Sequence, residues 1–278
     1  MTLQMSDREP SIQVGWPELL ALGLLLALGG MLFFRLAAPP RQEVELAGYA
    51  TDLKGRTISQ RHNARKAAEA LDGKIIPPGA VFSFNRTVKS WSEDQGYVKA
   101  PVSYDGELVR AFGGGVCQTS TTLYNAALLA GLPIVERHSH VFAPHYVPPG
   151  RDAAVAQYTV DLRFRNPYSW PIRIRASASG DRLDIRLYGA EQPDTNVQVL
   201  TDVLSANPPQ RLTRMIYRPA GLAGRAYVRN PGATGYRVVT YRLFARNRRE
   251  IRRERLSDDS YEAMNRIVQL NEEEIPEP

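Results

Sequence analysis

Apolar and polar positions change period several times along the chain. Residues 57–72, "TISQRHNARKAAEALD", put Ile58, Ala64, Ala67, Ala68 and Leu71 on one face at helical spacing, and Gly73 is a natural stop. Pro77, Pro78 and Gly79 then mark a turn, after which "AVFSF" alternates as a strand. A second helical pattern runs from Thr119 to Leu129, with Gly131 as its C-terminal cap. From 134 to 189 the period falls to two in "IVERHSHVF", "AQYTVDLRF", "WPIRIRASA" and "RLDIRLYG". The pattern predicts an α+β fold, with helices early and an antiparallel sheet late.

The N-terminus follows a different rule. Residues 19–34, "LLALGLLLALGGMLFF", are uncharged and show no polar stripe, so a buried core helix fits poorly. A cleaved signal peptide is an alternative. However, Arg8 is outweighed by Asp7, Glu9 and Glu18, and a cut near "RLAAPP" sets Pro39 directly after the small residues. An uncleaved anchor fits better. The expectation is a cytoplasmic tip and transmembrane signal anchor over 1–38, a linker over 39–48, and the rest of the chain outside the cytoplasm. That makes it a single-pass protein of the cell membrane.

Composition changes this picture at two points. The 278 residues contain one Cys, which excludes an intrachain disulfide, a thiolate metal cage and a CxxC redox pair. From Asn207 to Arg255 there are 13 Arg and two acids, a local charge of +11 against +6 for the whole chain. Such a segment suits nucleic acid or anionic wall polymers, and an exported setting favours the polymers. On this reading the basic segment is separable, and its removal leaves the thiol untouched. The last residues, 269–278, form an acidic tail.

The single Cys stands in "GGGVCQTSTTLYN". Thr119, Ser120 and Thr121 are candidate N-caps, which sets Cys117 at the start of a helix. There, unpaired N–H groups and the positive dipole end favour a thiolate. Gly113, Gly114 and Gly115 leave room for a substrate and can aim N–H groups at an oxyanion. A nucleophile also needs a base. The four His are His62, in the first helix, and His138, His140 and His145. Asp152 or Glu136 can orient an imidazole. A zinc site made of Cys117 and two of these His is a further arrangement, and a small buried thiol in a tight turn is the plain one.

The blocks "PPGAVFSFN", "GGGVCQTSTTLYNAALLAGLPIVERHSH", "YVPPGRDA" and "DLRFRNPYSWPIRI" resemble the VanW-like family, in order, from about Tyr49 to Ile174. The resemblance implies a VanW-like domain over 49–190 and, in some members, cysteine L,D-transpeptidase activity on peptidoglycan stem peptides. Cys117 takes the nucleophile position and His140 that of the motif's His, with Arg137 and Asp152 as its charged neighbours. Cys117, His140 and Asp152 become the candidate catalytic residues, and Gly114, Gly115, Gln118, Thr119 and Arg137 the candidate substrate and oxyanion groups. Two positions depart from the pattern, Val141 in place of Ser and Ala154 in place of Thr. Residues 197–268 resemble the G-five surface module and imply a small all-β unit. The expected partners are peptidoglycan peptides or glycan, and the membrane through the N-terminal helix. No cofactor, metal or nucleic acid is expected. A non-catalytic wall-binding protein stays open beside the enzyme.

Overall fold

The computed structural model describes residues 43–104, 107–218 and 226–273. The expected anchor, residues 1–38, lies outside them, and among the described residues no helix is long and apolar enough to cross a membrane. The α+β expectation is corrected: fifteen strands stand against three α-helices and one 3-10 turn, so the fold is mostly β. The helical periodicities were sound, but strands occupy much of what the sequence suggested was linker, loop or tail.

The first element is β1 (Val44–Asp52), part of which reads as linker in the sequence. Helix α1 (Ile58–Leu71) opens on a capping box in which Thr57 accepts from the Gln60 amide and the Gln60 side chain returns to the Thr57 N–H. Strands β2 (Ile75–Ile76) and β3 (Val81–Ser83) lead into the single-turn α2 (Phe84–Val88). The expected strand "AVFSF" stops early because Ser83 caps this turn, accepting from the Arg86 amide. The hairpin β4 (Lys99–Tyr104) and β5 (Glu107–Phe112) precedes α3 (Val116–Leu129).

After α3 come the short β6 (Ile134–Glu136) and β7 (Arg163–Arg165), then the long β8 (Ile172–Ser179) and β9 (Arg182–Gly189). Strands β1, β9, β8 and β2 form an antiparallel sheet in that order. Along β9, Leu183, Ile185 and Leu187 alternate inward with period two. Leu183 joins Ala64 and Ala68 of α1 in one apolar cluster, while Ile185 and Leu187 join Leu123, Ala126 and Ala127 of α3 in another. Burying each such aliphatic side chain contributes about 1.5–3 kcal/mol.

The C-terminal strands are β10 (Asn196–Asn207), β11 (Arg211–Arg218), β12 (Ala226–Asn230), β13 (Gly235–Arg246), β14 (Arg249–Tyr261) and β15 (Arg266–Glu273). They form two three-stranded sheets, β10-β13-β14 and β11-β15-β12. Strand β15 runs into the expected acidic tail because its backbone pairs in parallel with β11. Six of the eight arginines between 237 and 255 form ion pairs with acids of Asp194 or β14. Much of the basic patch is therefore an internal charge ladder.

The described residues from Glu43 onward form one compact unit. Arg242, 1% exposed on β13, donates to the Leu132 carbonyl at 2.7 Å and pairs with Glu254 at 2.9 Å. The Thr240 hydroxyl donates to the Gly150 carbonyl at 3.2 Å. Gly150 holds φ +85°, and a Cβ there would stand 2.3 Å from Thr240 Oγ1. Only glycine lets loop and strand approach this closely. Gly150→Ala should therefore destabilise the fold by roughly 2 kcal/mol or more. At about 2–4 °C per kcal/mol, Tm should fall by at least about 4 °C. A thermal melt within 1 °C of the parent would contradict this docking.

Candidate active site

Helix α3 starts three residues earlier than its hydroxyls suggest. Gly115 is the N-cap, at φ +105° and with no side-chain cap. Cys117 thus sits in the first helical turn, where the Val116 amide donates to the Gly113 carbonyl at 2.9 Å and the Gln118 amide to that of Gly115 at 3.2 Å. A Cβ on Gly115 would lie 2.2 Å from the Gln60 carbonyl, and one on Gly114 would lie 2.6 Å from that of Pro101. These glycines let α1 and β4 close onto the loop. They do not open space for a substrate.

All of α3 from Gln118 to Leu128 is buried, although six of those residues are polar. Buried polar groups need partners, and these partners tie the site together. Ser120 Oγ donates to the Ala153 carbonyl at 2.6 Å, and Thr121 Oγ1 accepts from the Ala153 amide at 3.0 Å. Asn125 Nδ2 donates to the Arg151 carbonyl at 2.7 Å. The loop is held on both sides of Asp152. Thr119 Oγ1 donates to the Ala64 carbonyl at 3.2 Å, and the Gln118 amide is fully engaged with Arg56, Thr51 and Asp52. Neither Thr119 nor Gln118 is free to bind substrate or an oxyanion; both brace the helix.

Asp152 has no exposed surface and accepts four hydrogen bonds from side chain and backbone. Its Oδ2 takes His140 N–H at 2.7 Å and faces His140 Nδ1 at 2.5 Å. Its Oδ1 takes Arg137 Nη2 at 2.9 Å and the Tyr261 hydroxyl at 2.5 Å. Burial alone would raise its pKa. The His140 hydrogen bond and charge, with Arg137 and Tyr261, outweigh burial and hold it down to about 2.

Nδ1 of His140 is committed to Asp152, and the imidazole also acts on the Cys117 thiol electrostatically. Burial opposes an imidazolium there, but Asp152 and the thiolate overcome it, so the His140 pKa lies well above the usual range. For Cys117, burial pushes the thiol up and His140 more than reverses the shift. The arrangement favours a thiolate–imidazolium pair at neutral pH. As a neutral thiol, Cys117 Sγ donates to the Val155 carbonyl at 3.4 Å.

The other His are elsewhere. The strand ends at Glu136, and beyond it His138 and His140 meet different carboxylates. His138 Nε2 pairs with Glu136 at 3.2 Å, and His62 Nε2 contacts the Gly96 carbonyl at 2.8 Å. Glu136 therefore serves His138, and Asp152 serves His140. The structure does not bring Cys117 together with two His, the set the zinc arrangement requires.

Two groups come from a part of the chain that reads as a separable module. Tyr261 Oη accepts from Gly150 N–H at 2.8 Å while donating to Asp152. Asp259 pairs with Arg137 Nη1 at 2.6 Å, so Arg137 bridges two carboxylates. Both residues lie in "SDDSY" of β14, a stretch whose sequence signal was the module itself and not this contact. Cutting the chain before β10 would strip both from the site.

Residues 59–188, which contain Cys117, His140 and Asp152, match the family described as VanW like protein. These residues form a VanW-like domain. Over 166 residues the chain is 39% identical to the uncharacterized protein YoaR of Bacillus subtilis, covering 60% of this chain and 55% of that protein. Over 136 residues it is 30% identical to the vancomycin B-type resistance protein VanW of Enterococcus faecalis, covering 47% and 50%. The chain spans about half the length of the curated relatives it matches. Among solved structures, the G5 domain of IgA1 protease covers 30% of this chain and 96% of its own at 20% identity and TM-score 0.19. HP0197-G5 covers 28% and 99% at 20% identity and TM-score 0.15.

In the VanW-like site, ionised Asp152 favours protonated His140, which favours the Cys117 thiolate. Asp152→Asn removes the charge and nearly keeps the shape. The midpoint of Cys117 alkylation by iodoacetamide should then move to higher pH by about one unit or more. An unchanged pH profile in a folded variant would show that the carboxylate does not tune the thiol.

Proposed function

We propose that this protein is a cell-envelope enzyme that transfers acyl groups between peptidoglycan stem peptides through Cys117, an L,D-transpeptidase-type reaction. The observation that carries the reading is the set Cys117, His140 and Asp152, with Cys117 in the first turn of α3 and the other two in the segment after β6. It unites a nucleophile, a proton carrier and a buried carboxylate that orients the imidazole. The wall setting is supported by the family match and by the name of the Enterococcus faecalis relative. On this reading the domain works outside the cytoplasm, where such peptides are found.

The chemistry follows from the groups present. The Cys117 thiolate attacks a peptide carbonyl, and the positive end of α3 favours the developing oxyanion. As the S–C bond forms and the C–N bond breaks, His140 gives its proton to the departing amine. The neutral imidazole then accepts a proton from an incoming amine, whose nitrogen displaces the thiolate and restores the starting pair. Water as the acceptor gives a carboxypeptidase by the same steps. Arg137, Asp259 and Tyr261 hold Asp152 and touch no reacting atom.

Incubation with stem-peptide fragments should add an acyl mass to Cys117, visible by intact-protein mass spectrometry. Cys117→Ala should abolish both adduct and product, and His140→Ala should slow turnover by about 10²–10⁴-fold. His62→Ala should change nothing. Peptide binding without an adduct, or turnover that survives Cys117→Ala, would replace the enzyme with a non-catalytic wall-binding protein.

A further inference from the structure

Arg56 is a cation without a counter-ion beside this site. It follows β1 and precedes the cap of α1. Its Nε donates to Gln118 Oε1 at 2.9 Å, and its guanidinium lies over the Tyr146 ring at 4.9 Å. Among the described residues no carboxylate pairs with it. Its two terminal nitrogens bond to nothing in the protein, yet they are not among the buried unsatisfied atoms, so solvent reaches them. Burial pushes its pKa down, and only Tyr146 pulls the other way. Arg137 is neutralised by two carboxylates, and Arg151, which like Arg56 has no carboxylate partner among the described residues, lies over Tyr49 and not Tyr146.

Tyr146 connects Arg56 to the nucleophile. Its ring faces Arg56, whose Nε bonds Gln118, the residue after Cys117 on α3, and after burial the Cys117 thiolate is the main influence raising the Tyr146 pKa. The neighbouring His145 is held below the usual imidazole pKa by burial and by the Arg56 charge, so it adds no second cation at neutral pH. A rigid guanidinium with two unsatisfied nitrogens presents a fork that matches a carboxylate.

We propose that Arg56, seated on Tyr146, binds the free C-terminal carboxylate of the peptide acyl donor. The assignment of an acyl donor rests on the function proposed above. The terminal carboxylate is favoured over a side-chain one by reach. An extended residue spans about 3.3–3.6 Å, so the carboxylate one residue past the attacked carbonyl stays close to the thiol. A cation one aromatic ring away can meet it there. Arg56 becomes the residue that selects donors by their free end.

The test is equilibrium binding to the Cys117→Ala protein, which cannot react, so a negative result does not touch the acyl-transfer reading. The ligands are a stem tetrapeptide with a free C-terminus, its C-terminal amide, and a version amidated only at its side-chain carboxylate. The free acid should bind about 10–100-fold more tightly than the terminal amide, as one charge-assisted contact implies. Arg56→Gln should erase that preference and leave amide binding unchanged; Arg56→Lys should keep part of it.

Arg151→Gln serves as a charge control. That arginine is held by Asn125 Oδ1 at 2.8 Å and lies over the Tyr49 ring at 5.2 Å, without contact to Tyr146. It should leave the preference intact. Equal binding of acid and amide to the Arg56 protein would overturn the proposal. So would loss of the preference in Arg151→Gln, or a preference that follows side-chain amidation. With Cys117 restored, Arg56→Gln should alkylate at the parental rate, showing that the thiol site is still assembled.

Discussion

The buried carboxylate of Asp152 is the constraint around which this protein is organised. An isolated carboxylate at full burial is prohibitively costly, and here the cost is met by four donors drawn from three parts of the chain. His140 N and Nδ1 come from the segment after β6, Arg137 from the end of that strand, and Tyr261 from β14. None of these groups can be removed without leaving charge uncompensated in the interior. The arrangement that stabilises the fold is therefore also the one that sets the ionisation of the thiol. Stability and chemistry are coupled at one atom pair.

The carboxylate could not hold this position without α3. A helix buried all round is normally apolar, whereas α3 carries Gln118, Thr119, Ser120, Thr121, Thr122 and Asn125 inside. Each polar side chain bonds a carbonyl, amide or hydroxyl, and most of these partners lie on other elements. Thr51 and Thr122 meet at 2.8 Å between β1 and α3, and Ser120 and Thr121 grip Ala153. Hydroxyls that would cap a helix in another setting serve here as fasteners between elements. Because Gly115 takes a left-handed cap, the helix does not need them at its start.

This explains how far the sequence could be read. Cys117, His140 and Asp152 were legible because local spacing and the motif blocks carry them, and the structure joins all three. Helical periodicity located α1 and α3 well. The roles of Gly114, Gly115, Gln118 and Thr119 were misread because their partners are backbone atoms of α1 and β4 and of Asp52, which no local pattern reveals. Arg56 and Tyr261 were missed for the same reason, since each meets the site from a distant stretch. Gln118 is bonded to Arg56 across 62 residues, and Tyr261 to Asp152 across 109. The fold class was misjudged because β1 looked like linker and β15 like tail, and strand pairing, not local pattern, decides both.

The C-terminal sheets then take on a different meaning. Most of the arginines between 237 and 255 are paired with acids nearby, and the buried Arg242 also donates to the carbonyl of Leu132. Ion pairs at the surface contribute little each, but two of these, Arg237–Asp258 and Arg242–Glu254, cross from β13 to β14 and fit one register of that pair. Register matters because a one-residue slip turns every side chain to the other face. Such a slip would carry Asp259 and Tyr261 away from Arg137 and Asp152. The charge ladder of the outer sheet is in this way connected to the proton chain at Cys117.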